Sequence, residues 1–477
     1  MVHKQYYTSG LYGILFMALY FVFFQHLDSF HIRNWDESMF AVNAYEMNNN
    51  NNFIVPFYKS VPDMWNSKPP LQLWFQVLFI KLIGYSELAI RLPSAIASSG
   101  SALLLFFFFK KRTSNILALC VFFVFISSGG VSSFHAGRTG DADALLSFFM
   151  LCYCIAFYKW LFENNQKSIF YFFIFLTLAF LTKSIASLLF LPAVLVLTFY
   201  FKKTKKLFIT KWFYAGFVLF MSVSISFILL RDVQNSGYIS YLLKNDVNRI
   251  NNVIESHKEP FDFYFNNLFN NRFVWFLLVL PGIVLLWINK KHKHDAIFIS
   301  LLFTAYFLII SFSTTKLEWY DLPLFPLLSV CSAYLLNYIY SKTEFVKTTI
   351  SSILFLCFVF SIPCYFSFRN AYKSEINPAE KKLEILTEYA FRNSKNTSLN
   401  NVVFLTTDYD RALYFYKYKQ NTKGSDFQIT TDVGSIKNNS TIIVANDSLK
   451  HLLFKNFNYE IVDSLKSAIK INITSLK

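Results

Sequence analysis

Charge is what this chain has least of. Only 16% of its 477 residues are Asp, Glu, Lys or Arg, against 54% apolar residues, and the mean hydropathy is +0.37. The length alone would allow two or three soluble domains, but such domains need more charged surface than this, so the composition identifies a polytopic membrane protein. Cysteine is scarce as well. The six, Cys120, Cys152, Cys154, Cys331, Cys357 and Cys364, lie in or beside apolar segments, which excludes a disulfide framework or a zinc ribbon. Cys152 and Cys154 stand two apart in an apolar helix and point to different faces, as buried structural thiols do. No small-residue cleavage site follows the apolar stretch from Leu11 to Phe24, so it reads as a retained first span.

What is present is phenylalanine, 58 of them, in long apolar runs. Segments near 9–27, 88–109, 115–131, 142–158, 168–182, 185–201, 212–230, 273–289, 296–312, 322–340 and 348–367 span or nearly span a bilayer, about eleven in all. The net charge of +16 falls between them and not on a soluble face, so it reports topology and not nucleic-acid binding. Lys4, "KKR" (Lys110–Arg112), Lys159 with Lys167, "KKTKK", "KKHKH" and Lys342 with Lys347 mark the cytoplasmic side. The loop around Asp36, "HAGRTGDADA", "TKS", the loop 231–272, "STTKLEWY" and the C-terminal region then face outward.

Residues 1–368 form the expected transmembrane domain. Its first outer loop, 28–87, is too long for a connector, and Asp36 is placed as the N-cap of a helix in which Phe40, Ala44 and Met47 share one face, lying along the membrane interface. The run Asn48–Asn52 ends that helix as a solvated spacer. Residues 369–477 change to a soluble composition. "NVVFLTT", "STIIVAN", "YEIVDSL" and "AIKINIT" read as strands, and "NPAEKKLEILTEYAFRN", "RALYFYKY" and "LKHLLFKN" as helices, giving a small extracytoplasmic α/β domain. It has no Gly-rich phosphate loop, which excludes a nucleotide site of that kind.

Ionisable side chains beside a bilayer are costly, and here they gather at one face: Asp36 and Glu37, Lys68, His135, Arg138, Asp141, Asp143, Lys183, Arg249, His257, Lys316, Glu318 and Tyr320. Carboxylates among Lys, Arg and Tyr suit a reaction in which a hydroxyl loses its proton while a phosphate departs.

At these residues the chain resembles a known family. "WDESMFAVNAYEM", "FIVPFYKSVPDMWNSKPPLQLWFQ", "YSELAIRLPSAIAS", "GRTGDADALLSFF", "LTKSIASLLFLP", "SHKEPFDFYFNNL" and "STTKLEWYDLPLFPLL" are similar, in order over about 360 residues, to motifs of bacterial polytopic GT-C glycosyltransferases, the group of protein mannosyltransferases and the lipid A aminoarabinose transferase. The C-terminal domain carries no matching motif. The resemblance implies an inverting transferase that takes a hexosyl or pentosyl unit from a polyprenyl-phosphate donor to a lipid, glycan or protein acceptor at the outer face of the bacterial inner membrane.

On this resemblance Asp36 is the catalytic base, a role compatible with helix capping, and Glu37 either orients Asp36 or is a first-turn acid favoured by the helix dipole. Lys68, Arg138, Lys183, Lys316 and Tyr320 match donor-phosphate positions; for the lysines the alternative is snorkelling, and for Tyr320 an aromatic belt. Asp143 takes a substrate or ion-pair role in the catalytic set, while Asp141 reads as a helix cap. Arg249 is compatible with donor or headgroup contact. His257 matches a histidine that in some relatives ligates a divalent metal, with an acid immediately before the KPP lysine; this chain has Ser67 there, which removes one expected ligand. A transporter or lipid-linked glycan flippase would also place charges in apolar helices, but such sites lie at the midplane between repeats, and no internal repeat is visible. A binding module in the C-terminal domain would explain the tail but not the outer-face motifs.

Overall fold

The computed structural model describes residues 2–133, 135–244, 257–342, 349–370, 384–396, 399–407 and 409–477. The chain forms two compact units that are not consecutive in sequence: Met1–Gln25, Met64–Gln72 and Leu92–Lys373 in one, and His26–Asp63, Leu73–Arg91 and Ser374–Lys477 in the other.

The first unit is helical. All eleven apolar segments of the sequence are helical over most of their length, but among the described residues only seven helices are long and apolar enough to cross a membrane, or eight when the bent pair Phe263–Arg272 and Phe276–Ile288 counts as one. Gly10–Phe24, Asn115–Ile126 and Leu191–Tyr200 are shorter. The reason is local: Ser114 caps Asn115–Ile126 by accepting the Leu117 N–H, and Ser127, the first residue of the polar stretch Ser127–Gly130, closes the helix through the Phe123 carbonyl. Helix–helix contact in this unit depends on a small residue. A Cβ on Gly282, in Phe276–Ile288, would collide with the Cys331 carbonyl of Phe325–Lys342, so two backbones meet where no side chain fits.

The second unit joins parts of the first outer loop to the C-terminal region. A two-stranded hairpin, β1 (Phe57–Tyr58) and β2 (Val61–Pro62), belongs to it, as does a five-stranded sheet of order β4-β3-β5-β7-β6. In that sheet β3 (Val402–Leu405) runs parallel to β4 (Gln428–Thr430) and β5 (Thr441–Val444), and β7 (Ala468–Leu476) is antiparallel to β5 and to β6 (Phe457–Leu465). Leu405, Ile442, Val444, Leu449, Leu453, Phe457, Ile471 and Ile473 form its core. Helix Asp36–Asn50 packs against Arg411–Asn421 and is buried on nearly every side, including Phe40, Ala44 and Met47, so it has no single apolar stripe of the kind an interfacial helix presents. It ends in the asparagine run as expected, with Asn51 left-handed and the Asn52 side chain accepting the Ile54 and Val55 N–H groups.

Ionic contacts tie the unit together. Arg411 pairs with Asp63, and Lys419 lies 2.5 Å from Glu87. Glu384 accepts from His31 (3.0 Å), Arg33 (3.1 Å) and the Asn34 N–H (3.4 Å). Burial by itself would raise the Glu384 carboxyl, but the His31 hydrogen bond, the His31 and Arg33 charges and the Asn34 N–H outweigh it and hold the group below its ordinary value.

Gly282→Ala should lower the stability of the purified protein by about 1–3 kcal/mol through overpacking, measured by unfolding in detergent, while Gly13→Ala, whose Cβ meets nothing within 4 Å, should not. Because the folded Glu384 carboxyl lies below its unfolded value, its stabilisation is complete at neutral pH and is lost as pH falls through the folded value. The acid limb of an unfolding-temperature profile should flatten in Glu384→Gln.

Candidate functional site

Each unit contains a cluster of ionisable residues. In the helical unit the "GRTGDAD" loop enters the helix Asp143–Phe162, whose first residue is buried. Lys183, the last residue of Ser168–Lys183, places its Nζ 2.5 Å from Asp143 Oδ1 and 5.0 Å from the centre of the Tyr320 ring. His135, at φ 56°, lies with Nδ1 3.2 Å from Asp141 Oδ1 and 4.0 Å from Asp143 Oδ2, and its ring stacks on Trp319 at 3.5 Å. Two buried carboxylates and a buried imidazole thus meet a half-buried lysine and two half-buried aromatic rings.

The loop is fixed by its backbone. Gln72 donates to the Gly140 carbonyl, Ser94 donates to the Asp141 carbonyl, and Gly137 sits so close to Ser98 and Phe23 that a Cβ there would lie 2.6 Å from Ser98 Oγ. Asp141 is therefore not a simple helix cap: the helix begins after Ala142, and the Asp141 side chain faces His135. Arg138 donates to the carbonyls of Val22 (3.0 Å) and Gln25 (2.8 Å), tying the loop to the end of the first helix.

The "SKPP" turn is held from outside its own sequence. Arg231, fully buried near the end of Lys211–Gln234, donates to the carbonyls of Lys68 (2.9 Å) and Asn66 (2.5 Å), and Tyr238 donates to the Ser67 carbonyl (2.8 Å). Arg231 also lies 4.2 Å over the Tyr238 ring. The Lys68 backbone is thereby fixed with its side chain half-buried. Neither Arg231 nor Tyr238 stands out in sequence, except that an arginine near the end of an apolar run demands a buried partner.

Lys316 turns its Nζ to the carbonyls of Glu259 (2.9 Å) and Ser313 (2.7 Å), and burial lowers its ammonium from the ordinary value. Its N–H donates to the His257 carbonyl. Among the described residues His257 belongs to no group of three His, Cys, Asp or Glu ligand atoms. Arg249 lies outside the described residues. A pair not singled out in sequence, Arg272 and Asp321, joins at 3.0 Å, with Asn267 donating to the same carboxylate and Arg272 to Ser133 Oγ.

In the other unit the acidic pair separates. Glu37 is fully buried and takes Arg91 on both oxygens, Nε at 2.7 Å and Nη2 at 3.0 Å, and also accepts the Arg33 N–H at 2.8 Å. Arg91 further donates to the carbonyls of Leu27, Phe30 and His31. Glu37 thus anchors the 27–33 turn. Asp36 is half-buried and is the first helical residue; it does not occupy the N-cap, which Trp35 takes at φ 68°.

The comparisons with known proteins agree with this architecture. A family profile described as dolichyl-phosphate-mannose-protein mannosyltransferase matches residues 67–229. An uncharacterized protein of Aquifex aeolicus (strain VF5) is 24% identical over 306 residues, 63% of this chain and 59% of that protein. The chain thus spans under two thirds of that relative's length. ArnT from Cupriavidus metallidurans bound to undecaprenyl phosphate superposes with a TM-score of 0.74 at 13% identity, over 97% of this chain and 98% of that one. An oligosaccharyltransferase of Archaeoglobus fulgidus in the apo form gives 0.54 at 10% identity, over 92% and 66%.

Lys183→Met removes the cation from a buried carboxylate, and breaking such a pair is expected to cost about 3–5 kcal/mol. Unfolding of the purified variant should show that loss, and Lys183→Arg should restore most of it.

Proposed function

We propose that this chain, a membrane protein with the GT-C glycosyltransferase fold, transfers a sugar from a polyprenyl-phosphate donor to a hydroxyl of a lipid, glycan or protein acceptor at the outer face of a bacterial inner membrane. The single observation that carries this reading is the mannosyltransferase-family match to residues 67–229, which contain Lys68, Arg138, Asp143 and Lys183.

In this mechanism Asp36 accepts the proton of the acceptor hydroxyl as its oxygen bonds to the anomeric carbon. The bond from that carbon to the phosphate oxygen breaks on the opposite side, so configuration inverts and polyprenyl phosphate leaves with the electron pair. Lys68, Lys183 and Tyr320 bind the donor phosphate as charge develops on it, with Asp143 holding Lys183 in place. Arg138 and Lys316, each donating to two backbone carbonyls, contribute by holding the loops that carry this set. Glu37 acts through Arg91 to hold the turn that leads into Asp36.

The test is mass spectrometry of lipids and surface glycans from strains that express, lack or carry variants of the protein. The expected result is a glycosylated species absent from the deletion strain. Asp36→Asn should slow its formation by ~10²–10⁴-fold at equal membrane insertion; unchanged product from that variant would remove Asp36 from the role of base. Labelled lipid crossing proteoliposomes with no glycosidic bond formed would overturn the transferase reading.

A further inference from the structure

Trp35, immediately before the half-buried Asp36, carries a backbone conformation that bulky side chains seldom adopt, φ 68° and ψ −122°. Such strain persists only where the surroundings over-determine it, and it clusters at sites of function. Here three donors converge on the Trp35 carbonyl: the Met39 N–H at 2.9 Å, Ser38 Oγ at 3.0 Å and Tyr409 Oη at 3.2 Å. Tyr409 also stacks on the indole, with ring centres 4.6 Å apart and planes 28° from parallel. Trp35 nevertheless remains 43% exposed as a residue, with Tyr409 supporting one face of its indole. Burial is the main cause holding the Tyr409 phenol neutral, and the neighbouring Asp36 charge adds to it, so it remains a hydrogen-bond donor.

We infer that the open face of Trp35, backed by Tyr409, is a platform on which a pyranose ring of the acceptor stacks, so that the acceptor hydroxyl presented beside Asp36 belongs to a carbohydrate. This goes beyond the proposed transfer by choosing the acceptor class, and it rests on Asp36 being the acceptor-side base. The C–H faces of a sugar ring are apolar and slightly positive, and they match the electron-rich face of an indole, while the ring hydroxyls stay at the rim within reach of a carboxylate. A serine or threonine on a peptide offers no such face. A tryptophan that only anchors the protein at a membrane interface needs neither a forced backbone nor a second ring behind it. The platform draws one ring from the outer loop and the other from the C-terminal region, which gives that region a part in choosing the acceptor.

The experiment uses the full-length protein in lipid nanodiscs and saturation-transfer NMR with the methyl glycosides of glucosamine, galactose and mannose, alongside a peptide rich in serine and threonine. Ring C–H signals of at least one glycoside should be saturated by the wild type. Trp35→Ala should weaken that binding about tenfold, the scale of a stacked aromatic contact, and Trp35→Phe should retain part of it. Tyr409→Phe, which keeps the stack but loses the bond to the Trp35 carbonyl, tests the platform without removing the indole and should weaken binding to a smaller degree. Unchanged unfolding temperatures exclude misfolding as the cause. Asp36→Asn, which leaves the two rings in place, should still show saturation of the ring C–H signals; if that variant also turns over normally, the base assignment fails while the platform stands. Equal saturation by wild type and Trp35→Ala, or saturation of the peptide and none of the glycosides, would overturn the proposal.

Discussion

Each ionisable group that this chain buries must be neutralised within the protein, because neither lipid nor a packed core supplies the hydration it loses. That constraint organises both units. Lys183 with Asp143 and Arg272 with Asp321 do so in the helical unit; Arg91 with Glu37, Arg411 with Asp63 and Lys419 with Glu87 do so in the other. Backbone carbonyls also solvate buried cations: Arg231, Arg138 and Lys316 each donate to two of them. These cations act as splints for irregular backbone. The "SKPP" turn, the "GRTGDAD" loop and the segment before the Trp319–Tyr320 turn are not regular helix, and each is pinned by a buried cation, a buried amide or both. Irregular backbone at an apolar boundary is possible only where such donors satisfy its carbonyls.

The same constraint explains which residues announce themselves in sequence. A charge in an apolar run is conspicuous, so Lys183 and Asp143, which pair at 2.5 Å, both stood out in sequence. Other pairings did not. Arg91 meets Glu37 across 54 residues, and Arg231 meets Lys68 across 163. Sequence periodicity reports which face of a helix is apolar, but not which distant helix faces it. The apolar segments were legible because composition marks them, whereas their lengths were not, because a segment such as 115–131 includes the polar stretch Ser127–Gly130 that ends its helix. In the C-terminal region the strands "NVVFLTT" and "STIIVAN" were readable as short apolar runs between helices. The three-residue strand Gln428–Thr430 is too short and too polar to show itself, and it becomes a strand only through its parallel pairing with β3.

Asp36 was misplaced by one position for a related reason. An aspartate before an apolar-periodic stretch is the usual cap, and only a backbone forced to positive φ moves the cap back to a tryptophan. The three hydrogen bonds to the Trp35 carbonyl stabilise that arrangement, and one of them comes from a residue 374 positions later. A cap chosen by tertiary contact leaves no local signature.

The separation of Asp36 from Glu37 follows from helix geometry. Successive residues on a helix point about 100° apart, so two adjacent acids at its start cannot share an environment. Glu37 turns inward and is consumed by Arg91. Asp36 stays half-buried in the first turn of the helix, near the positive end of its dipole. Glu37, fully buried and held on both oxygens by Arg91, is committed to the 27–33 turn and has no freedom to face anything outside the protein.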